Sequence, residues 1–318
     1  MSSIAENNPL VSIIMNCRNS QEYLREAIDS VFAQSYSNWE IILWDNASTD
    51  DSAGIAKSYC EKVYYFKSLE PLTLGKARNM AMAEARGKYL AFLDCDDKWL
   101  SDKIKKQVDV LETKTDIDFV YGNYFRLIMP DIDQLVLALR GRQPVGDVFG
   151  QFLYNYPVNL QTVMLRMDAV NRLEAKFDDR FEVSEEFDFF MRILFKAKAF
   201  YIDEPLAVYR FHKDMSSQKL MYKYPVEAKV ILDKLKNIDR SVKQKYGTQL
   251  KYYEAKLGYW YARIEMERNN SGDARLKLAP YRFVNLVFFV LYLLTFLPLK
   301  VWNLIHRLKM MGKLRWVV

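Results

Sequence analysis

The sequence has few of the residues that build disulfide or zinc frameworks. Its 318 residues include three cysteines, Cys17, Cys60 and Cys95, and two histidines. The cysteines are too few and too widely spaced for either framework, so a reducing cytoplasm is the expected setting. The first eight residues lack a basic and apolar leader, so no signal peptide is predicted. There is also no internal repeat and no low-complexity tract.

Hydrophobic residues, by contrast, make up 50% of the chain, enough for a catalytic domain plus a smaller helical one. This composition excludes a largely disordered protein. Lysine and arginine outnumber the acids 46 to 40, and part of the excess follows an apolar stretch near the end, at Arg307, Lys309, Lys313 and Arg315. Because these basic residues adjoin apolar ones, the pattern favours a membrane surface over nucleic acid as a partner.

Short apolar strands alternate with helices through the first part of the chain. Strands are predicted at 10–16, 39–44, 63–66, 88–93 and 118–123, and helices after Arg18 with Asn19 as the cap, across 53–59, at 76–86 and up to 112. This alternation, with both strand faces apolar, predicts an α/β fold with a mostly parallel sheet and helices on both faces. After residue 123 the order becomes mixed, as in an α+β extension of the same sheet.

The remainder of the chain is predicted to be helical from Pro225 onward, which places a domain boundary near residue 220. The predicted domains are therefore 1–220 and 221–318. Residues 283–299 contain no charge, but the run is shorter than the ~20 residues that span a bilayer comfortably. Basic residues flank both ends, which favours a re-entrant or in-plane hairpin over a single span. The alternative is a buried pair of core helices.

The first candidate site residue is Asp45, directly after the second predicted strand. Ligands of open parallel sheets collect at the carboxyl ends of the strands, so an acid there can accept hydrogen bonds from a base or ribose. The alternative is that Asp45 or Asp50 caps the next helix.

A stronger signal is the cluster Asp94, Asp96 and Asp97 at the end of an apolar strand. Like charges packed together are unfavourable unless a cation neutralises them, and carboxylate oxygens suit Mg²⁺ or Mn²⁺. A metal there would bridge a nucleotide diphosphate and offset the charge on the leaving group. The alternative is a solvated acidic turn.

Two further segments carry candidate residues. Lys76 and Arg78 open a predicted helix, where unpaired N–H groups and added positive charge suit a phosphate or nucleotide, although Lys76 also fits a solvent-facing role. Glu185, Glu186 and Asp188 open a later helix. Acids in a first turn are ordinary helix chemistry, but a positioned carboxylate is also what removes a proton from an attacking hydroxyl.

Taken together, these motifs resemble the inverting family 2 glycosyltransferases of GT-A fold, over about residues 10–213. The segments that carry the resemblance, in order, are residues 16–19, 27–36, 45–50, 75–79, 94–99, 185–188 and 210–212. The resemblance implies a Rossmann-like catalytic domain, followed here by a C-terminal helical region with a membrane-associating segment.

The resemblance also implies a role for each motif. The acid at Asp45 would hold uracil or another base, and the first loop, with Asn16, Arg18 and Asn19, would line the nucleotide. The family's Asp-x-Asp signature falls on Asp94 and Asp96. Substrate contacts are therefore expected from Asp94, Asp97, Lys76 and Arg78, and Mn²⁺ or Mg²⁺ ligation from Asp96 and His212, although a lone histidine is more often structural.

The expected catalytic base is Glu186, where the family usually has aspartate. Because glutamate is one methylene longer, Glu185 or Asp188 is kept as an alternative base. The first loop also departs from the family, since it reads Asn-Cys-Arg-Asn where Pro-Thr-Tyr-Asn is commoner. Its contacts with the nucleotide are therefore left open.

The resulting hypothesis is a direct displacement at the anomeric carbon that transfers a sugar from a nucleotide-sugar donor with inversion of configuration. Among nucleotides, UDP is favoured. The acceptor would be a glycan, such as a polyprenyl-linked glycan at the cytoplasmic face of a bacterial membrane. Two rival functions are a catalytically inactive sugar-nucleotide or glycan-binding module and a nucleotidyltransferase. The second rival lacks support, because no glycine-rich loop with a trailing arginine follows the first strand.

Overall fold

The computed structural model describes residues 8–59, 61–128, 134–211, 215 and 219–310, and for 128 and 306–310 the backbone alone. It divides into two compact units. The first is Met1–Phe149 with Pro157–Met221, and the second is Gly150–Tyr156 with Tyr222–Val318.

In the first unit, the described residues form a nine-stranded mixed sheet. Its strands are β1 (Val11–Cys17), β2 (Trp39–Asp45), β3 (Val63–Lys67), β4 (Tyr89–Phe92), β5 (Lys98–Trp99), β6 (Phe119–Ile128), β7 (Leu135–Leu137), β8 (Met164–Arg166) and β9 (Ala199–Phe211). They lie in the order β3-β2-β1-β4-β8-β6-β9-β5, and β7 pairs with β6. The β3-β2-β1-β4 half is parallel, whereas β8 runs antiparallel to both of its neighbours. The predicted parallel sheet with a mixed extension is confirmed.

Helices lie between the strands of this sheet in the chain. They are α1 (Leu24–Phe32), α2 (Ser52–Lys57), α3 (Leu74–Ala83), α4 (Lys103–Thr113), α5 (Phe149–Tyr154), α6 (Met167–Asn171) and α7 (Glu185–Leu194). All of α5 except Phe149 belongs to the second unit. Apolar residues of α1 and α4 pack with residues of β1 and β2 in one buried core. Helix α3 begins and ends a little earlier than predicted.

The start of α1 differs from the sequence-based expectation. Asn19 does not cap this helix, which begins at Leu24 after a turn. Instead the backbone N–H of Asn19 donates to Ser48 Oγ at 2.9 Å, and its side-chain oxygen accepts from the N–H of Thr49 at 2.9 Å. The predicted cap was therefore wrong, because Asn19 joins the loop after β1 to the loop after β2.

The second unit is built from helices. Those that follow α7 are α8 (Tyr224–Lys236), α9 (Val242–Glu267), α10 (Ser271–Leu278), α11 (Leu286–Leu294) and α12 (Leu299–Met310). The uncharged run predicted at 283–299 thus consists of α11 and the start of α12, separated by a break at residues 295–298. Within the described part of the chain, no helix combines the length and the apolar character needed to cross a membrane.

Candidate active site

Three aspartates converge where β4 ends. Asp94 and Asp96 are half-buried and Asp97 is buried. One carboxylate oxygen from each can be chosen so that all three lie within 4.8 Å of one another. Because β4 lies inside the sheet beside β1, this cluster opens at the carboxyl edge, where α/β sheets bind ligands.

The cluster fits a divalent cation by its donor chemistry. Buried Asp97 Oδ2 has no hydrogen-bond partner among the described residues. Burial, together with the charges of Asp96 and Asp94, raises the pKa of Asp97 well above its usual range. A buried carboxylate in this setting is costly unless a cation balances it, and hard oxygen ligands are those that Mg²⁺ and Mn²⁺ take. The predicted acidic cluster therefore has the composition and geometry of a metal site.

Asp94 is held from two sides. Arg78 Nη2 lies 3.2 Å from Asp94 Oδ1. On the other side, Gln161 donates from Nε2 to Asp94 Oδ2 at 2.7 Å and accepts the backbone N–H of Asp94 at 2.8 Å. Gln161 is buried in a 3₁₀ turn at Leu160–Thr162, and Asn159 caps that turn by accepting the N–H of Gln161. Asp94 is thus fixed in orientation before any ligand binds.

The loop that carries the other two aspartates is anchored to β9. The backbone N–H of Arg210 donates to Asp97 Oδ1 at 2.8 Å, and its guanidinium donates to the carbonyl of Asp96 at 2.7 Å. Arg210 also forms an ion pair with Glu26 of α1. Arg210 was noticed in the sequence only as part of a motif, and its contacts make it a support for the acidic loop.

Aromatic packing brings the start of α7 to the same edge. Phe92, at the end of β4, makes ring contacts with Phe189 and Phe190 of α7 at 6.4 and 6.0 Å between centroids. Phe177 stacks on Phe189 at 4.2 Å. Since Phe92 lies two residues before Asp94, this packing brings the acids of the first turn of α7 to the acidic cluster.

The three acids of α7 have different surroundings. Glu185 is buried and accepts a hydrogen bond from Arg78 Nη1 at 2.5 Å, so Arg78 joins it to the acidic cluster. Asp188 is buried and pairs with Arg192 one turn later, at 2.8 Å. Glu186 is half-buried and is found in no hydrogen bond or ion pair with the described residues.

The charge state of Glu186 follows from this environment. The pKa of Glu186 is raised to about 8, mainly by desolvation and also by the charges of Glu185 and Asp94, while Arg78 opposes the rise. These interactions mean that Glu186 faces the same group of charges as Asp94. A carboxyl with a raised pKa near neutrality is suited to accept a proton from a hydroxyl.

Tyr209 of β9 directly precedes the 210–212 motif, but the sequence analysis gave it no role of its own. Burial raises the pKa of Tyr209, and the charges of Asp97, Asp94 and Glu186 raise it further. Its phenol therefore stays protonated and is a candidate site residue. The sequence shows the motif beside this tyrosine but not the acids that act on its phenol.

Asp45 is fully buried at the end of β2. Its Oδ1 accepts the backbone N–H of Ser48 at 2.8 Å, and its Oδ2 accepts the hydroxyl of Tyr65 at 2.6 Å. Lys67 Nζ lies 3.8 Å from the same oxygen. The alternative from the sequence analysis, in which Asp45 caps the next helix, is wrong, because α2 begins at Ser52 with Asp51 at its N-cap position, and Asp45 accepts the N–H of Ser48 in the preceding turn. Its predicted contact to a base stays a prediction.

The remaining predicted site residues lie at the end of β1, in the loop that follows it and in the first turn of α3. Asn16 is half-buried, and its side-chain nitrogen has no partner among the described residues. Arg18 and Asn19 are exposed in the next loop, and Lys76 is exposed in the first turn of α3. His212, predicted as a metal ligand, lies outside the described residues.

Comparison with known proteins identifies the family of this site. The family model described as "Glycosyl transferase family 2" matches residues 12–165. The chain is 31% identical over 193 residues to UDP-Glc:alpha-D-GlcNAc-diphosphoundecaprenol beta-1,3-glucosyltransferase WfaP of Escherichia coli, covering 59% of this chain and 71% of WfaP. It spans about a third of the length of two longer Rickettsia glycosyltransferases that it also matches.

Solved structures share the fold at lower identity. TarS 1–349 of S. aureus superposes with a TM-score of 0.64 at 16% identity, covering 86% of this chain and 82% of TarS 1–349. The mannosyltransferase PcManGT of Pyrobaculum calidifontis, solved with GDP-Man and Mn²⁺, gives a TM-score of 0.61 at 16% identity, covering 93% of this chain and 84% of that chain. The chain is a glycosyltransferase: it belongs to glycosyltransferase family 2, and its sheet and helices form a GT-A-like α/β fold.

Proposed function

We propose that the protein transfers a sugar, with inversion at the anomeric carbon, from a UDP-sugar to a hydroxyl of a lipid-linked glycan. WfaP, by its name, uses UDP-Glc and a GlcNAc-diphosphoundecaprenol acceptor. TarS 1–349 has been solved with UDP-GlcNAc. These relatives support the classes of donor and acceptor, and the reaction would contribute to surface polysaccharide or glycoprotein assembly.

The observation that carries the proposed chemistry is the contrast among the acids of α7. Glu185 forms an ion pair with Arg78, and Asp188 forms one with Arg192. Glu186 has a raised pKa and no hydrogen-bond or ion-pair partner among the described residues. It is therefore the best placed of the three to take the proton of the attacking hydroxyl. Glu185 and Asp188 then position the helix.

The donor side of the proposed site consists of the predicted substrate residues. Asp45 with Asn16, Arg18 and Asn19 would contact the base and ribose, and Lys76 and Arg78 would lie near the phosphates. Asp96 and Asp97, with His212, would hold Mn²⁺ or Mg²⁺. When bound, this ion supplies positive charge to the departing nucleoside diphosphate. Gln161 keeps Asp94 in place beside it.

We further propose that catalysis belongs to residues 1–220 and that residues 221–318 bring the enzyme to the cytoplasmic face of the cell membrane. A polyprenyl-linked acceptor is anchored in the bilayer, so an enzyme held at that surface meets it at high local concentration. The association would be peripheral or re-entrant and would involve residues 283–299.

The function is tested with purified enzyme, a panel of UDP- and GDP-sugars and a synthetic GlcNAc-diphospholipid in detergent. Release of the nucleoside diphosphate is measured with Mn²⁺, with Mg²⁺ and after chelation by EDTA. We expect release that requires the lipid acceptor and a divalent ion, and a product with the anomeric configuration opposite to that of the donor. Donor binding without turnover for any acceptor would instead support an inactive binding module. Pyrophosphate release from a sugar phosphate and a nucleoside triphosphate would identify a nucleotidyltransferase.

A further inference from the structure

Helices α11 and α12 expose a row of large apolar side chains. We define the apolar stripe as Leu286, Leu293, Phe296, Leu297, Val301 and Leu304. Their exposed fractions run from 36% for Val301 to 75% for Leu286. On α11 the spacing from Leu286 to Leu293 is two helical turns, so these two side chains lie on one face. Val301 and Leu304 are three residues apart on α12, so they also lie on one face of their helix.

The opposite side of the same helices is already used for packing. Phe288 and Leu291 of α11 and Trp302 of α12 are buried in a core that includes Tyr252 and Tyr259 of α9. Helix α11 (LVFFVLYLL) is apolar on both faces, and one of them stays exposed after folding. Several large apolar side chains exposed on one segment are typical of a binding surface for a protein or a membrane.

The segment of sequence that carries the stripe has charges of one sign. Residues 274–318 contain eight lysines and arginines and no aspartate or glutamate. The guanidinium of Arg275 lies 4.6 Å from the ring of Phe296 and donates to the carbonyl of Thr295 at 3.2 Å. That of Arg282 lies 4.7 Å from the ring of Phe283, which is 77% exposed just before α11. We call Arg275, beside Phe296 of the stripe, and Arg282, beside Phe283, the basic rim.

We propose that the apolar stripe lies in the plane of a bilayer, with its side chains among the acyl chains and its basic rim on anionic phospholipid headgroups. A helix with apolar side chains on one long face and basic groups beside them is the pattern of in-plane membrane association. A second copy of the chain fits less well, because the same basic rim would face itself. The stripe thus gives a specific surface and a specific lipid class to the peripheral association proposed above.

The test is co-sedimentation of the full chain with vesicles, without donor or acceptor. One set of vesicles is phosphatidylcholine alone, and the other contains roughly 30 mol% phosphatidylglycerol. We expect binding to the anionic vesicles and much weaker binding to the neutral ones. Binding should fall as salt is raised, since surface charge is screened. Equal binding to both vesicle types would overturn the proposed role of the basic rim.

The stripe itself is tested with the double variant Leu286→Asp, Leu293→Asp. The matched control is Val226→Asp, because Val226 is 61% exposed on α8 and is not part of the stripe. We expect the double variant to lose at least about tenfold in vesicle affinity and the control to bind like the wild type. Circular dichroism and thermal unfolding check that both variants fold, and Leu286→Ser, Leu293→Ser serves if the aspartates prevent folding.

Two outcomes of these experiments would show that the proposal is wrong. If the folded stripe variant binds anionic vesicles as tightly as the wild type, the proposal is wrong. The proposal is also wrong if the wild type does not bind vesicles and light scattering shows that it forms an oligomer that the stripe variant does not form. The partner of the stripe would then be a second copy of the chain. Transfer to a detergent-solubilised acceptor is measured separately, so failure of this surface and failure of the proposed reaction are distinguishable.

Discussion

The two compact units differ in the unusual groups that they bury or expose. The first unit buries charge: Arg78, Glu185 and Asp97 are all buried at the edge of its sheet. The second unit exposes apolar surface, as the stripe on α11 and α12 shows. Burying a charge is costly unless it is compensated, and exposing an apolar patch forgoes the free energy of burial. Each unusual feature therefore marks the surface at which we expect that unit to meet its ligand.

The comparison also distinguishes groups that fold the site from groups that serve the reaction. Arg78 pairs with both Asp94 and Glu185, so these charges compensate one another within the protein. Glu186 and Asp97 Oδ2 lack such compensation among the described residues. Removing a compensated charge should cost stability, whereas removing an uncompensated one should cost function.

The largest effect is expected for Glu186→Gln, compared with Glu185→Gln. Loss of a general base should lower kcat by roughly 100- to 10,000-fold while the Kd for the donor changes little. Because the raised pKa of Glu186 opposes folding above the pKa of a free glutamate, the glutamine should leave Tm at pH 8 unchanged or higher. Glu185→Gln should instead lower Tm, since it removes one of the two carboxylates that balance the charge of buried Arg78.

These measurements are steady-state kinetics, donor titration by calorimetry and thermal unfolding on the same preparations. A Glu186→Gln enzyme with nearly full kcat would remove this residue from the proposed mechanism. The base would then have to be sought elsewhere, beginning with Asp188.

Asp96→Ala should have the next largest effect, on the metal-dependent part of donor binding. Loss of a supporting outer-shell group typically lowers metal affinity by about 10- to 100-fold, so loss of a ligand should cost at least that much. Asp109→Ala is the matched control, because Asp109 is an exposed acid on α4 that pairs with Lys105. Donor affinity measured with and without Mn²⁺ gives the result. Equal affinities for Asp96→Ala and the control would count against the metal site.

A smaller effect is expected from Gln161, which holds Asp94 without belonging to the acidic cluster. Gln161→Ala should lower metal-dependent donor affinity by about tenfold, as for other outer-shell groups. Gln161→Glu should be worse than alanine, because it adds a negative charge beside Asp94. Gln161→Asn tests whether the position of the amide matters, because asparagine keeps the amide group but its side chain is too short to reach Asp94 in the same way. The order is read from donor titrations, and identical losses for all three variants would indicate a merely structural role.

The framework of the catalytic unit could be predicted from the sequence because strand and helix periodicity are local. Strands β1 to β4 appear within a residue or two of the predicted limits. The first helix was misplaced because Asn19, which looks like a local cap, makes its contacts about thirty residues away, at Ser48 and Thr49. Local patterns cannot show such pairings.

The same limit applies to the site. The acidic cluster was visible as a sequence motif, because its members are neighbours in the chain. The partner of Arg78, Glu185, is 107 positions away, and Gln161 is 67 positions from Asp94, so neither contact leaves a local signal. The sequence therefore indicated candidate acids but not which of them pair with an arginine in the fold. In the helical unit, the apolar run was visible, while the division into buried and exposed faces required the fold.

The proposed role of Glu186 as the general base is tested most directly by the pH dependence of kcat/KM at saturating metal. The profile is measured for the wild type and for Glu186→Gln. A general base acts only when deprotonated, so activity should fall as pH decreases through its pKa. Desolvation raises that pKa to about 8 in the free enzyme, so the wild-type profile should rise with pH well above the usual range of a glutamate. Glu186→Gln should lose this rise. A wild-type limb at the pKa of an ordinary glutamate, or the same limb in both enzymes, would contradict the account.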